Sequence, residues 1–271
     1  MDFELDKCGI YVNQTNVPVE TGFSEGMQNN WFEVEDNSWW FKYRAKVIQE
    51  LASFFYSKQK LTVDVGGGNG YTTSYLNEAG YNMCLLEPSY QACLNGRRRG
   101  LPYVINGTVE DLSQLYDQFM LLDVIEHIED DNQFLNIIHE KMNVGGLVLF
   151  TVPAFMSLWN REDVITGHYR RYTKKIFHEL VEDHGFDILY ENYFFSFLYI
   201  PIKVVRVWLD KFRKHKSFEE CKDDVPANQF LCNNFLVNKI LGVIEKIEMN
   251  RLIKNKRIPF GSSLIIIARK R

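Results

Sequence analysis

The 271-residue sequence lacks the markers of several protein classes. It has five cysteines and no C-x-x-C pair, so zinc-binding spacing is absent, and an odd, dispersed set is typical of reduced thiols rather than of disulfides. No apolar run reaches about 18 residues, which argues against a membrane-spanning helix. The start, Met1 to Glu4, is acidic and contains no apolar segment of a signal peptide. We therefore expect a cytoplasmic protein.

A large excess of positive charge is also missing. The formal net charge is -4, so we expect no general nucleic-acid binding. The apolar fraction of 46% and the charged fraction of 24% are those of an ordinary globular protein that can bury a substantial core. No internal repeat and no low-complexity tract interrupts the chain.

From residue 61 onward, short apolar runs alternate with amphipathic segments. This alternation predicts an α/β fold in which helices cover both faces of a parallel sheet. The predicted strands are Leu61–Val65, Met83–Leu86, Tyr103–Ile105, Phe119–Leu122, Leu147–Val152, Phe186–Tyr190 and Ser263–Ala268. Helices are expected near residues 70–79, 89–97 and 131–142, and between the N-cap Thr173 and Gly185.

The flanking segments break this rhythm. Residues 1–58 are predicted to form a loose N-terminal arm followed by an aromatic-rich lid helix, ahead of a core at 59–193. Residues 194–260 are predicted to form a helical insertion, and residues 261–271 return to the core as its last strand.

A glycine-rich turn follows the first predicted core strand. Gly66, Gly68 and Gly70 let the backbone turn with positive φ and approach a ligand closely. Their spacing is not the G-x-G-x-x-G pattern of dinucleotide sites, and no Walker lysine follows. Asp64, just before the glycines, would repel a phosphate but accept a hydrogen bond from an ammonium group. The alternative is a tight strand-to-helix turn without a ligand.

Glu87 ends the second predicted strand. A carboxylate at that position can accept hydrogen bonds from both hydroxyls of a ribose. Together with the acidic glycine turn, it indicates a site for a nucleoside that carries no phosphate.

With these motifs, residues 60–192 resemble the class I S-adenosylmethionine methyltransferases. The segment 122–128, Leu-Asp-Val-Ile-Glu-His-Ile, resembles the D-V-L-E-H-I signature of the ubiquinone-type branch, and Gly145 and Gly146 resemble its G-G-x-L hairpin. The resemblance implies a Rossmann-like, seven-stranded, mostly parallel sheet with the last strand antiparallel, and S-adenosyl-L-methionine as cofactor. The residues it assigns to the cofactor are Asp64, Gly66, Gly68 and Gly70 for the methionine part, Glu87 for the ribose, Val109 and Glu110 with the nearby Asp111 for the adenine, and Asp123 for the shape of the pocket.

Two residues beside Asp123 have an alternative role. In some relatives a similar acid-x-x-Glu-His pattern binds a divalent metal, and Glu126 and His127 supply oxygen and imidazole donors. We favour the interpretation without metal, in which Glu126 and His127 cap the next helix.

The loop after the fifth core strand contains candidates for the chemistry of methyl transfer. His168 is the best general base by its ordinary pKa, and Arg170 and Arg171 could clamp an anionic acceptor. The alternative is that Arg171 and Thr173 only cap the following helix, with Tyr172 packed beneath it.

An aromatic stretch ahead of the glycine turn resembles the W-W-F-x-x-R sequence of bacterial relatives. Its Arg44 could pair with the methionine carboxylate, and Trp39 or Trp40 could cover the pocket or belong to the core.

The segment 194–216 is very apolar at first and becomes basic. It could lie on an anionic bilayer, or pack as a helix on the second insertion helix. Pro201 is expected to break the stretch.

The expected activity is methyl transfer to a small molecule or a glycan- or lipid-linked intermediate, at oxygen. The rivals are methylation at nitrogen or carbon, a non-catalytic nucleoside-binding module and an NAD-dependent oxidoreductase.

Overall fold

The computed structural model describes residues 3–13, 25–210 and 235–271. Its centre is one nine-stranded sheet in the order β1-β2-β5-β4-β3-β6-β7-β9-β8. The strands are β1 Phe3–Leu5, β2 Tyr11–Asn13, β3 Leu61–Val65, β4 Asn82–Glu87, β5 Tyr103–Asn106, β6 Tyr116–Leu122, β7 Met142–Pro153, β8 Phe186–Phe194 and β9 Ser263–Lys270.

Seven of these strands form the expected core. β3 pairs in parallel with β4 and with β6, β4 pairs in parallel with β5, and β6 with β7. β9 then inserts antiparallel between β7 and β8. The α/β, Rossmann-like class and the reversed last strand are confirmed. Leu264 to Ala268 are fully buried, because β9 has a neighbour on both sides and covering layers on both faces.

The expectation of a loose N-terminal arm is wrong for residues 3–13. β2 pairs in parallel with β5, and β1 pairs antiparallel with β2, so the sheet has nine strands instead of seven. The Asp6 carboxylate accepts hydrogen bonds from the backbone N–H groups of Cys8 and Ile10 and closes the turn between the two strands. Strands of three residues are too short to show an alternating pattern.

The helices are α1 Glu25–Asn37, α2 Trp39–Phe55, α3 Tyr71–Glu78, α4 Tyr90–Arg98, α5 Asp131–Glu140, α6 Arg161–Ile165, α7 Lys174–Asp183, α8 Ser196–Asp210 and α9 Phe235–Ile253. Several begin at a side-chain cap: Ser89 precedes α4, Asp130 precedes α5 and Thr173 precedes α7. Because Asp130 caps α5, the expectation that Glu126 and His127 cap that helix is wrong.

The insertion contains α8 and α9, joined by residues 211–234, which lie outside the described part. The basic end of the segment 194–216 falls among them. α8 runs through Pro201, contrary to the expected break. A proline in a helix removes one backbone hydrogen bond, and aromatic contacts of Phe197 with Trp39 and of Tyr199 with Phe155 hold the preceding turn. Among the described residues, no helix has the length and apolarity needed to cross a bilayer.

Candidate functional site

The predicted motifs meet at the carboxyl ends of the parallel strands. The glycine turn follows β3, Glu87 ends β4, and residues 123–127 follow β6. β3 has β4 on one side and β6 on the other, so the chain order reverses between β3 and β6. Open α/β sheets bind ligands at this kind of crevice.

The glycine turn has the geometry that the sequence predicts. Gly66, Gly68 and Gly70 have φ values of 66°, 57° and 74°, a region that residues with a Cβ rarely adopt. No heavy atom lies within 4 Å of the position that a Cβ on Gly68 would occupy. Its backbone N–H donates to Glu87 Oε2 over 3.0 Å, which brings the turn and the second-strand acid into direct contact.

Glu87 is 7% exposed and accepts a second hydrogen bond, from the Ser89 backbone N–H to its Oε1, over 2.9 Å. Burial raises the pKa of Glu87 to about 7, although the two backbone donors favour the ionised form. Nearby, Asn106 Nδ2 donates to the Glu87 carbonyl oxygen over 3.1 Å. The Glu87 carboxylate is therefore held in a fixed position at the end of β4.

Asp64 lies beneath the glycine turn and is 1% exposed. Thr73 Oγ1 donates to its Oδ2 over 2.6 Å, while Oδ1 has no partner. Burial raises the pKa of Asp64 to about 6. A buried carboxylate oxygen without a donor is costly, so this atom fits a ligand that brings a donor into the crevice.

Arg44, on α2, is placed differently from the expectation that it pairs with the methionine carboxylate. Its Nη2 lies 2.7 Å from Asp123 Oδ2 and donates to Thr151 Oγ1 over 3.2 Å. Asp123 adopts the left-handed φ of 59°, and its carboxylate contacts both Arg44 and Thr151. Because the guanidinium is engaged inside the protein, its first role here is to hold Asp123. Arg44 Nε is buried and has no hydrogen-bond partner.

The expected adenine residues lie in a short 3-10 turn, Val109–Asp111. Val109 is buried and Glu110 is exposed. Asp111 Oδ2 accepts from the Thr108 backbone N–H over 2.8 Å, and Asn13 Nδ2 donates to its Oδ1 over 3.1 Å. The N-terminal strand β2 therefore borders this part of the crevice.

Glu126, His127 and His168 form a cluster at the lip of the crevice. One ligand atom from each lies within 4.8 Å of the others, with His168 Nε2 4.0 Å from Glu126 Oε1. Glu126 is fully buried, and both carboxylate oxygens lack hydrogen-bond partners. Burial raises the pKa of Glu126 well above its usual range, and burial followed by the His168 charge lowers the pKa of His127 to about 4. An orphaned carboxylate beside two imidazoles fits the donor preferences of a divalent cation. Asp123 is not part of this cluster.

His168 is oriented by Asp163, a residue that has no assigned role in the sequence analysis. Its Nδ1 lies 2.8 Å from Oδ1 of Asp163, which is 1% exposed. Arg171 Nε donates to the same oxygen over 2.7 Å, so Arg171 acts on Asp163 and is not a helix cap. Arg170 is likewise engaged, with its Nη1 2.7 Å from Asp131 Oδ2. Both guanidinium groups that were expected to clamp an acceptor already have carboxylate partners.

Four buried side-chain polar atoms in the described part of the chain have no hydrogen-bond partner. They are Arg44 Nε, Asp64 Oδ1, Glu126 Oε1 and Glu126 Oε2. All four belong to residues of the motifs above. Because native proteins satisfy most buried polar groups, the concentration of such atoms here fits a ligand-binding site.

The aromatic stretch joins the crevice to the insertion. Trp40 stacks on Phe195 with ring centroids 5.4 Å apart and lies under the Arg44 guanidinium at 5.4 Å. Trp39 makes an edge contact with Phe195 at 6.1 Å. In this arrangement both tryptophans pack on the core, and Trp40 also forms part of the wall behind Arg44.

Sequence reasoning did not identify the hydroxyl and amide partners of the motif residues. Thr73 bonds Asp64, Thr151 bonds Asp123, and Asn69 Nδ2 donates to Glu35 Oε1 on α1 over 3.1 Å. For Thr73 and Asn69, the sequence signal that could have identified them is their position beside the glycines. For Thr151, the signal is weaker, because only its position near the end of a buried strand points to the crevice.

Comparison with known proteins is consistent with this geometry. Residues 39–191 match the model of a methyltransferase domain family. The chain is similar to a ubiquinone biosynthesis O-methyltransferase of Rickettsia canadensis, with 26% identity over 113 residues, which is 39% of this chain and 48% of that protein. The alignment thus spans about half the length of that relative.

Two solved structures share the fold. A phosphoethanolamine N-methyltransferase 2 of Haemonchus contortus, solved with phosphomonomethylethanolamine and S-adenosylhomocysteine, has a TM-score of 0.58 at 15% identity, covering 94% of this chain and 61% of its own. An S-adenosylmethionine-dependent methyltransferase of Thermotoga maritima has a TM-score of 0.52 at 16% identity, covering 90% and 94%.

Proposed function

Because the chain belongs to this methyltransferase family and uses S-adenosylmethionine, we propose that it methylates a hydroxyl group of a small molecule or of a glycan- or lipid-linked intermediate. The observation that carries the proposal is the pairing of Asp163 with His168 at the lip of the crevice. Methylation of a hydroxyl needs a base for its proton, whereas many other acceptors do not.

The chemical step is an in-line displacement. The acceptor oxygen forms a bond to the methyl carbon as the bond from that carbon to the sulfonium breaks, and the sulfur leaves as a neutral thioether. The proton of the acceptor hydroxyl passes to His168 Nε2. Proximity and orientation supply most of the remaining acceleration.

Asp163 is the positioning residue of this step. With Nδ1–H of His168 donated to Asp163, Nε2 carries the lone pair and lies 4.0 Å from Glu126 Oε1. Burial by itself would raise the pKa of Asp163, but the His168 hydrogen bond and the Arg171 charge bring that pKa below its ordinary value. Asp163 is therefore ionised and stabilises the imidazolium that forms when His168 accepts the proton.

The cofactor roles follow from the crevice. We assign the methionine part to Asp64 and the glycine turn, the ribose hydroxyls to Glu87, and the adenine to the Val109–Glu110 turn. Arg44 and Asp123 pair with each other and both bond Thr151 on β7, so we place them at the base of the cofactor pocket. The unpartnered Asp64 Oδ1 supports the first of these assignments, because the amino group of the methionine part can donate to it.

The same lip supports a second candidate feature, a divalent-cation site. Glu126, His127 and His168 would hold the cation, and the orphaned oxygens of Glu126 are the specific observation that favours it. A bound cation supplies Lewis-acid polarisation of an acceptor hydroxyl. In that case His168 serves as a ligand and not as the base.

The test is a turnover screen with labelled S-adenosylmethionine against quinol, sugar-nucleotide and polyprenyl-linked acceptors. We expect O-methylated product with at least one acceptor, and a turnover about 10²–10⁴ lower with His168→Ala. Cofactor binding without turnover across the panel would favour a non-catalytic nucleoside-binding module. Product methylated at nitrogen or carbon would contradict the oxygen assignment.

A further inference from the structure

Helix α9 presents an apolar and basic face to solvent, opposite the side that it packs on the protein. Ile240, Val243 and Ile247 are 60%, 54% and 60% exposed, which is unusual for three large apolar residues within two helical turns. Lys239 and Lys246 are exposed among them. We call these five residues the outer face of α9.

The opposite side of α9 fixes this orientation. Glu248, Met249 and Leu252 are buried, at 3%, 7% and 0% exposure. The Glu248 carboxylate accepts hydrogen bonds from the Tyr43 hydroxyl over 2.8 Å and from the Phe195 backbone N–H over 2.9 Å. The outer face cannot turn inward without breaking these contacts and exposing a buried carboxylate.

Charge on α9 is segregated as well. The helix has two acidic residues, Glu245 and Glu248, of which the first is half-buried and the second buried. The outer face therefore carries positive charge only. The whole insertion, residues 194–260, has 13 Lys and Arg against 7 Asp and Glu, a net charge of +6 in a chain whose total is -4.

We propose that the outer face of α9 docks the protein on an anionic lipid surface. Apolar side chains flanked by lysines are the pattern of an interfacial helix, in which the apolar groups enter the headgroup boundary and the lysines meet lipid phosphates. A nucleic acid would use the lysines but leave three large apolar side chains exposed. A second copy of this chain would meet the same positive charges across a symmetric interface.

Helix α8 supports the choice of a lipid surface. Among its described side chains, Ile200 and Val204 are 58% and 61% exposed, and Lys203 is exposed beside them. Residues 196–204 contain no acidic residue. The same combination therefore occurs on both helices of the insertion.

The inference goes beyond the proposed function and does not depend on it, because vesicle binding is measured without methyl transfer. Purified protein is sedimented with vesicles of phosphatidylcholine alone and with vesicles that contain about one third phosphatidylglycerol, at low and high salt. We expect binding to the anionic vesicles that weakens with salt, and little binding to the neutral ones.

Two paired variants separate the contributions. Lys239→Gln with Lys246→Gln should weaken binding to anionic vesicles about 25-fold, since each lysine near a bilayer contributes roughly a factor of five. Ile240→Ser with Ile247→Ser should also weaken binding, while leaving its salt dependence in place. The matched control is Val144→Ser, which changes a residue that is 78% exposed on another part of the molecule. Thermal unfolding of each variant verifies that it is folded.

Equal binding to neutral and anionic vesicles, or binding that neither pair changes, would overturn the proposal. So would binding to RNA or DNA that the lysine pair weakens and the isoleucine pair does not, since that pattern identifies a nucleic-acid surface. Dimerisation in solution that the isoleucine pair abolishes would assign the outer face to a second copy of the chain instead.

Discussion

Glu87 is the residue whose environment leads to the most direct prediction about cofactor affinity. Its carboxylate is buried, held by two backbone N–H groups, and has a pKa raised to about 7 by burial. Only the ionised form can accept hydrogen bonds from both ribose hydroxyls. The affinity for S-adenosylhomocysteine should therefore rise as pH increases through about 7.

Calorimetry at pH 6 and pH 8 measures this effect. Glu87→Ala should lose at least about tenfold in affinity at pH 8, because a charge-assisted hydrogen bond contributes roughly 1.5–3 kcal/mol. Its affinity should also lose most of its pH dependence. Glu78→Gln, at an exposed position on α3, is the control and should behave as the wild type. Unchanged affinity in a folded Glu87→Ala protein would remove the ribose assignment.

His168 and Asp163 should affect turnover and leave cofactor binding intact. His168→Ala should lower kcat by about 10²–10⁴, the range for loss of a general base. Asp163→Asn keeps a similar shape but loses the charge that orients the ring, so kcat should fall and the pH profile of kcat should shift. Arg171→Ala should lower kcat through Asp163 more than it raises the KM of the acceptor.

His178→Ala is the control, because this histidine pairs with Glu191 on β8 and not with residues of the crevice. Steady-state kinetics with titration of S-adenosylhomocysteine separates the two effects. Loss of cofactor affinity together with activity in His168→Ala would contradict the division between cofactor and acceptor residues.

The unpartnered carboxylate of Glu126 leads to a separate prediction, that the protein binds a divalent cation. The interpretation without metal, favoured from the sequence, implies that activity is indifferent to chelators. Because three donors converge in the structure, we now expect Mn²⁺ to raise the melting temperature of the ligand-free protein and a chelator to reverse the rise. Glu126→Gln should abolish the effect. A melting temperature that is unchanged by Mn²⁺ and by Mg²⁺ would contradict the cation site, and His168 would then keep its role as the base.

At the scale of elements, α2 connects the crevice to the insertion. Its residue Arg44 pairs with Asp123, and the preceding residue, Tyr43, donates to Glu248 on α9. Glu248 also accepts from the backbone of Phe195, which adopts the rare φ of 54° where β8 turns into α8. One buried carboxylate thus holds together the helix that supports the pocket and both ends of the insertion.

Replacing Glu248 should consequently destabilise the protein more than its helical position suggests. Glu248→Gln puts an amide donor where several donors already point, so we expect a loss of about 1–3 kcal/mol in the free energy of unfolding. Glu245→Gln, one turn away and half-buried, should change stability by less than about 0.5 kcal/mol. Urea unfolding measures both. Equal effects of the two variants would mean that the hydrogen bonds of Glu248 add nothing specific.

The elements also show how far sequence patterns reach. β3 to β6 were predicted to within three residues of their ends, because their apolar runs are short, buried and bounded by turns. β7 begins at Met142, five residues before its predicted start. The strands at residues 3–13 were missed because they are stabilised by pairing with β5, a contact that no local pattern encodes. α8 continues past Pro201 because aromatic packing outweighs one lost hydrogen bond.

Within the site, the same difference between local and distant contacts applies. The glycine turn and Glu87 could be predicted because backbone geometry and strand position are local properties. The pairing of Arg44 with Asp123 and of Asp163 with His168 depends on where separate loops meet in space, so it could not. The orphaned oxygens of Glu126 are visible only once every neighbouring donor has been placed.

For the whole molecule, several buried carboxyls should make the stability of the ligand-free protein depend on pH. Burial raises the pKa of Asp64 to about 6, and that of Glu35 and of Glu87 to about 7. Each is protonated more readily in the folded than in the unfolded chain. Their contribution is therefore fully present below the unfolded pKa and is lost as pH rises through the folded pKa. Burial lowers the pKa of His127 to about 4, so its contribution is present at neutral pH and is lost as pH falls through that value.

The acids with raised pKa values, which include Glu126, outnumber His127, so we expect a net fall in stability between about pH 5 and pH 8. Glu35 isolates one contribution, because it lies on α1, pairs with Arg99 and is not itself proposed to touch the cofactor. Removing its titration with Glu35→Gln should flatten the fall by about 1–3 kcal/mol, since each unit of pKa shift corresponds to about 1.4 kcal/mol. Urea unfolding of both proteins at pH 5, 6, 7 and 8 gives the two slopes. If the wild type gains stability over the variant as pH rises, the Arg99 ion pair outweighs the burial of Glu35 and its pKa is lowered instead of raised.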